Sequence, residues 1–366
     1  MTPSPLAKLI EGRSLVVVAG TGGVGKTTVS AALGLAAASG LDGDVLVLTI
    51  DPARRLASAL GIEIDGNDAI LVESTKRGNL YAAMLDPGPA WDSMIRREAS
   101  EEIAERILKN PVYRRIADTF VHGNDYAALG WLDEAIASDR YRLIIVDTPP
   151  AQNALDFFDA PDKVASFFGS SLLGWLTGGD GTLVATAAAK TFASLADKLL
   201  GAEFFADVVE FFQLMNSVVP GMVERTSDVA AQLAGDDAAF VAVAAPTHDM
   251  LDRFERVASA LSERELTFDG VIVNGVEPTV FWEPKVKDVA ARVVAGENSP
   301  LATKWTTLLA PGAEYVGERC EVASNQRDLV SNLGAETVTA LPRFVHSPTN
   351  LDGLRTIGEL LWNEPG

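Results

Sequence analysis

Apolar residues along this chain gather in short unbroken runs. Leu15–Ala19, Val45–Ile50, Leu143–Val146, Phe240–Ala244, Val271–Val273 and Val338–Leu341 are rich in β-branched residues and end in turn residues. Their spacing leaves room for helices between them. Runs without polar alternation suit strands buried on both faces, as in a parallel sheet covered by helices on each side. The pattern therefore predicts an α/β fold, a mostly parallel sheet flanked by helices. A shorter pair, Ile70–Glu73 and Leu80–Leu85, predicts an edge hairpin or one more strand.

Two stretches break the rhythm. Residues 88–140 read as helices, among them Ala99–Lys109 and Tyr126–Ala137, and residues 161–235 are helical and apolar. The expected organisation is a core built from 1–87, 141–160 and 236–366, with 88–140 and 161–235 packed together as a helical subdomain above one edge of the sheet. Thr177–Thr182 reads as a flexible loop by composition. Apolar clusters at Phe167–Leu176 and Phe204–Met222 have two readings: most positions as buried core, or a groove for a hydrophobic client helix. The C-terminal run Leu351–Trp362 has helical spacing, and its acidic residues outnumber Arg355. That favours a helix docked on the sheet over a basic membrane anchor.

Composition narrows the partners. A net charge of −20 over 366 residues repels nucleic-acid phosphates and anionic lipid, so no DNA partner is expected. One cysteine, Cys320, excludes a disulfide framework and a Cys-x-x-Cys zinc site within one chain. The first residues carry no apolar run of leader length, and no run is long enough to cross a bilayer. A cytoplasmic protein without direct membrane insertion is the expectation. His122, His248 and His346 are scattered with no ligand-like spacing, although His248-Asp249 follows a strand end.

The chemistry begins at Gly20-Thr21-Gly22-Gly23-Val24-Gly25-Lys26-Thr27-Thr28. This run fits G-x-x-x-x-G-K-[ST] and lies between an expected strand and an expected helix, the context the motif requires. Its glycines let backbone N–H groups turn toward an anion, and the helix N-terminus adds positive potential. Lys26 should reach the outer phosphates of ATP, and the Thr27 hydroxyl should ligate Mg²⁺. Asp51 and Asp147 follow strands at the end of the sheet where ligands bind in open α/β folds. Asp147 after four apolar residues suits the Mg²⁺ site, and Asp51 suits the attacking water and the metal's surroundings.

Three segments together resemble one family, the ATPases that drive arsenite pumps (ArsA) and those that target tail-anchored membrane proteins. They are Gly20–Thr28, Thr49–Leu56 and Asp147–Phe158, with further similarity at Asn79–Tyr81, Asp86-Pro87, Val273-Asn274 and Leu341-Pro342. The resemblance implies a deviant P-loop fold related to MinD, ParA and the nitrogenase iron protein. It also implies a homodimer, or a heterodimer with a paralogue, enclosing two ATPs, and a helical subdomain that binds a client. Asp51 would position water, Asp147 would serve Mg²⁺, Asn274 would read adenine, and the Pro342–Phe344 loop would lie along the base.

The chain departs from that family in four places. Thr21 stands where the family has a lysine that reaches the partner's nucleotide, and Arg54 or Arg55 is the expected substitute for its charge. The zinc-binding cysteine pair is missing. The metalloid-sensing cysteines are missing too, which argues against arsenite stimulation. Gln152-Asn153 stands where Gly-His is usual. The function expected is a Mg²⁺-dependent ATPase coupling ATP binding and hydrolysis to dimer motion and to a protein or membrane client. The alternatives are a weakly hydrolysing switch or heterodimer subunit, and the energising subunit of a transporter.

Overall fold

The computed structural model describes residues 2–50, 55–64, 67–117, 123–149, 158–169, 202–247, 249–264, 266–295, 300–331, 337–344 and 350–364. Its elements, in chain order, are α1 (Pro5–Glu11), β1 (Leu15–Ala19), α2 (Lys26–Gly40), β2 (Asp44–Thr49), α3 (Arg55–Leu60), β3 (Ile70–Ser74) and β4 (Asn79–Met84). Then come α4 (Pro87–Glu98), α5 (Glu101–Lys109), α6 (Pro111–Ala117), α7 (Gly123–Ala137), β5 (Tyr141–Asp147), α8 (Ala160–Phe168) and α9 (Ala202–Leu233). The last are β6 (Ala238–Ala244), α10 (Met250–Ser262), β7 (Gly270–Val276), α11 (Pro284–Ala295), α12 (Pro300–Ser331), β8 (Val338–Pro342) and α13 (Leu351–Trp362).

The strands form one eight-stranded sheet in the order β3-β4-β2-β5-β1-β6-β7-β8. Every adjacent pair is parallel except β3 with β4. The ambiguous pair in the sequence is thus both things at once. β4 continues the parallel sheet beside β2, and β3 folds back on it as an antiparallel edge. The partly exposed pattern of β3 and the fully buried pattern of β1 follow from edge and central position.

Alternate side chains of the central strands feed two cores. Val16, Val18, Val45, Val47, Val241 and Val243 face α2, α3 and α13. The small residues of α2, among them Ala31, Ala32, Ala37 and Ala38, let that helix lie close on the sheet. Leu15, Val17, Leu46, Leu48, Val146 and Phe240 face the other way, into a core shared with α4–α9. Those helices therefore cover the central strands on one face, where the sequence suggested a position above one edge. On that side of the central strands, Leu15, Leu46, Val146 and Phe240 are buried against these helices.

The phenylalanines and methionines of the apolar stretches mostly serve this core. Phe168, Phe211, Phe212, Met215 and Met222 are buried, while Phe167 remains partly exposed. The rest of the Phe167–Leu176 run and the Thr177–Thr182 segment lie outside the described residues. α13 spans the expected range, but it packs chiefly on α2, with Leu354, Ile357 and Leu361 buried. It lies along α2 and also reaches β8 and α3. The helical hairpin α11–α12 between β7 and β8 is an element the apolar runs did not bring out.

Candidate functional site

The phosphate-type loop leaves β1 at Ala19 and enters α2 at Lys26. Gly25 caps that helix with φ of 91°, a left-handed conformation that glycine adopts without steric cost. A Cβ there would also overlap the side-chain amide of Asn274. At the other end of the loop, a Cβ on Gly20 would overlap the carbonyl oxygen of Val243. The loop is therefore held close between β6 and β7. The Lys26 ammonium is folded back over it, donating to the carbonyl oxygens of Gly20 at 2.9 Å and Thr21 at 3.1 Å. Lys26 is 8% exposed, so these carbonyls replace water around a buried charge.

At the next residue, the Thr27 hydroxyl donates to Asp147 Oδ2 at 2.7 Å. Asp147 ends β5 and is fully buried. Its Oδ2 also accepts the Thr49 hydroxyl at 3.0 Å, and Ser30 approaches Oδ1 at 3.5 Å. Hydroxyl donors stabilise the ionised form of a buried carboxylate. The neighbouring Thr148 hydroxyl donates to the Val18 carbonyl at 2.8 Å, fixing the chain after β5 against β1. An oxygen-rich site thus lies beside a lysine-bearing loop at the carboxyl ends of β1, β2 and β5.

A family model described as anion-transporting ATPase matches residues 13–287, three-quarters of the chain. The chain belongs to the anion-transporting ATPase family. It is similar to a protein named ATPase get3 from Schizosaccharomyces pombe, with 28% identity over 74% of this chain and 77% of that one. It is also similar to ATPase ARSA2 of Chlamydomonas reinhardtii, 26% identical over 75% of this chain and 72% of the relative. Similarity to an ATPase ASNA1 homolog of Plasmodium chabaudi chabaudi extends further, at 22% identity over 97% of this chain and 89% of the relative. The resemblance carried by the motifs is therefore a family membership, and the chain is an ATP hydrolase.

In this ATPase Asn274 sits near the end of β7, and its side-chain amide donates to the Val24 carbonyl at 2.8 Å. It is thus tied to the phosphate loop. Pro342 ends β8, paired with Val276 of β7, and Phe344 packs partly buried against the core under α2. A buried carboxylate, Glu277, stands just past β7. It takes Arg319 of α12 at 2.8 Å and Arg343, just past β8, at 3.6 Å. Arg343 also donates its backbone N–H to Val276 at 2.7 Å. The Pro342–Phe344 segment is therefore anchored to β7 by charge and by backbone.

On the opposite side of the loop lies a cavity of about 180 Å³ lined by Gly20–Val24, the end of β6, Met250, Phe254 and Phe268. Asp249 stands at its wall, its carboxyl held below the usual range by the Thr247 hydroxyl and then by Arg253.

Of the residues expected at the site, the loop, Lys26, Thr27, Asp147, Asn274, Pro342 and Phe344 are gathered at one end of the sheet. Asp51, Arg54, Gln152, Asn153 and the three histidines lie outside the described residues, whereas Arg55 opens α3 and is exposed. Ser30, Thr49 and Glu277 were not singled out from the sequence. Ser30 had a local signal, since it falls three residues after Thr27 on the same helix face. Thr49 opens the Thr49–Leu56 segment of the resemblance, but nothing local pointed to its bond with Asp147, and Glu277 had no signal, because their partners come from distant strands and helices.

Proposed function

We propose that the ATPase is Mg²⁺-dependent and couples ATP binding and hydrolysis to the opening and closing of a dimer, and so to the handling of a hydrophobic protein or membrane client in the cytoplasm. The observation that carries this reading is the pairing of the Lys26 loop with the Thr27–Asp147 hydrogen bond. Among the described residues no group of three or more His, Cys, Asp or Glu is arranged to hold a metal by itself. Mg²⁺ characteristically takes one or two protein oxygens and completes its shell with phosphate and water. Thr27 and Asp147 are the residues that would hold it. When bound, the ion would neutralise charge developing on the transferred phosphoryl group.

Lys26 would exchange its two loop carbonyls for phosphate oxygens, a substitution of one set of acceptors by a more strongly charged one. Asp51 would orient water for in-line attack, and Asn274 with the Pro342–Phe344 loop would receive the base. No described helix is long and apolar enough to cross a membrane. A client would therefore be met at a surface. A second reading is favoured by Thr21, which contributes a neutral side chain where the resemblance implies a charge reaching the partner's nucleotide. In that case the chain is a slow switch, or one half of a heterodimer whose other half brings the lysine.

The test compares Asp51→Asn with Lys26→Ala in ATP binding, oligomeric state and co-purifying proteins. Asp51→Asn should bind ATP, accumulate as a dimer and retain client. Lys26→Ala should bind ATP at least about a hundredfold more weakly, as expected when a charged phosphate contact is removed. Identical bound partners and identical oligomeric state in both variants would refute the coupling. Single-turnover hydrolysis by the purified chain alone then separates the homodimer from the slow-switch reading.

A further inference from the structure

We infer that Thr49 is a positioning residue for the metal-side carboxylate, holding Asp147 in its orientation independently of the phosphate loop. The inference rests on the reading of Asp147 as the Mg²⁺ carboxylate. Thr49 is the last residue of β2 and is 1% exposed. It lies directly beside Asp147 in the β2–β5 ladder, and the N–H of the next residue, Ile50, donates to the Asp147 carbonyl at 3.1 Å. Its hydroxyl donates to Asp147 Oδ2 at 3.0 Å, the same oxygen that accepts Thr27 at 2.7 Å.

The two threonines differ in what carries them. Thr27 belongs to the first turn of α2, whose hydroxyl must also face the phosphates and their ion. Thr49 belongs to a strand inside the sheet, buried between β4 and β5, so its hydroxyl is carried by an element independent of α2. A carboxylate turns easily about its terminal torsion, and the Thr27 and Ser30 hydroxyls both reach it from α2. Two donors on one oxygen, from two independent elements, define which oxygen is turned toward the hydroxyls and which way the other points. Partners that orient a metal's carboxylate in this way commonly change metal affinity by 10- to 100-fold when removed. Thr49 also stands two residues before Asp51, so the same strand end orients the metal-side carboxylate and leads into the candidate water-orienting one.

Manganese binding reports this directly, because Mn²⁺ replaces Mg²⁺ at oxygen sites and gives a paramagnetic resonance signal when free. The full chain is titrated with Mn²⁺ in the presence of a non-hydrolysable ATP analogue, for wild type, Thr49→Val, Thr49→Ser and Asp147→Asn. Analogue binding is measured separately with the metal chelated. Thr49→Val should raise the half-saturating Mn²⁺ concentration by about tenfold, Thr49→Ser should stay near wild type, and metal-free analogue binding should not change in either. Should the valine variant not fold, Thr49→Ala replaces it. Wild-type Mn²⁺ binding in the valine or alanine variant, with weakened binding in Asp147→Asn, overturns the role of Thr49 alone. The same is true if the serine variant is as weak as the valine one. Unweakened binding in Asp147→Asn overturns the metal reading of Asp147 itself, and the role of Thr49 with it.

Discussion

The Lys26 ammonium shows how a loop can be kept ready for an anion. Its two carbonyl partners, on Gly20 and Thr21, belong to the loop itself, so the charge closes the ring that it later has to serve. Thr21 takes part here through its backbone, which any residue supplies, and the family's lysine at that position is not needed for the closure. Gly25 is a more demanding position. Its φ of 91° and its contact with the Asn274 amide leave no room for a side chain. Gly25→Ala should destabilise the fold by about 1–2 kcal/mol from backbone strain alone, with the Asn274 contact adding to it. Urea unfolding measures that loss. ATP affinity should fall as well, because relieving the overlap either shifts the loop or swings the Asn274 amide off the Val24 carbonyl. An alanine variant with unchanged unfolding midpoint and affinity would show that the loop is looser than its contacts indicate.

At the scale of elements, the helices over the sheet bury two tyrosines whose ionisation opposes folding. Tyr113 of α6 is raised above the ordinary tyrosine range, first by burial and then by its hydrogen bond to Asp92 at 2.6 Å. Tyr126 of α7 is raised mainly by burial, and its ring stacks on Trp91 at 5.1 Å. A raised folded-state value means that the stability contribution is complete below the unfolded value, about 10, and is lost as pH climbs toward the folded values. Unfolding in urea should therefore become easier above about pH 10, and Tyr113→Phe with Tyr126→Phe should flatten that dependence. An unchanged alkaline slope in the double variant would place its origin elsewhere.

The same scale explains what could be read in advance. β1 was legible to the residue because a strand buried on both faces has to be apolar throughout, and β5 and β7 extend beyond their apolar runs only at the ends. The loop was legible because its chemistry lies in nine consecutive residues. Thr49 and Glu277 were not, since a hydroxyl on Asp147 or an arginine on Glu277 exists only once separate strands and helices are side by side. Nor did spacing tell that the inserted helices cover the centre of the sheet, a consequence of which face α2 had already taken.

For the whole molecule, the division into a nucleotide-binding core and a helical subdomain remains a proposal, and the packing gives it a specific form. One continuous apolar core joins Leu15, Leu46, Val146 and Phe240 of the sheet to Trp91, Ile107, Tyr126, Phe211 and Met222 of the helices. Contacts of this kind are lost together, so the helices should not melt apart from the strands they cover. Tryptophan emission follows Trp91 and Trp131 within α4 and α7, among other positions, while far-ultraviolet dichroism follows helix content throughout. The two urea transitions should coincide, with one midpoint and one slope. Two separated transitions would mean that the helices form an independent unit hinged on the sheet. Coincidence carries a functional consequence: the helices share their core with Leu15 and Val17 of β1, the strand that leads into the Lys26 loop. Such packing transmits displacement and does not absorb it.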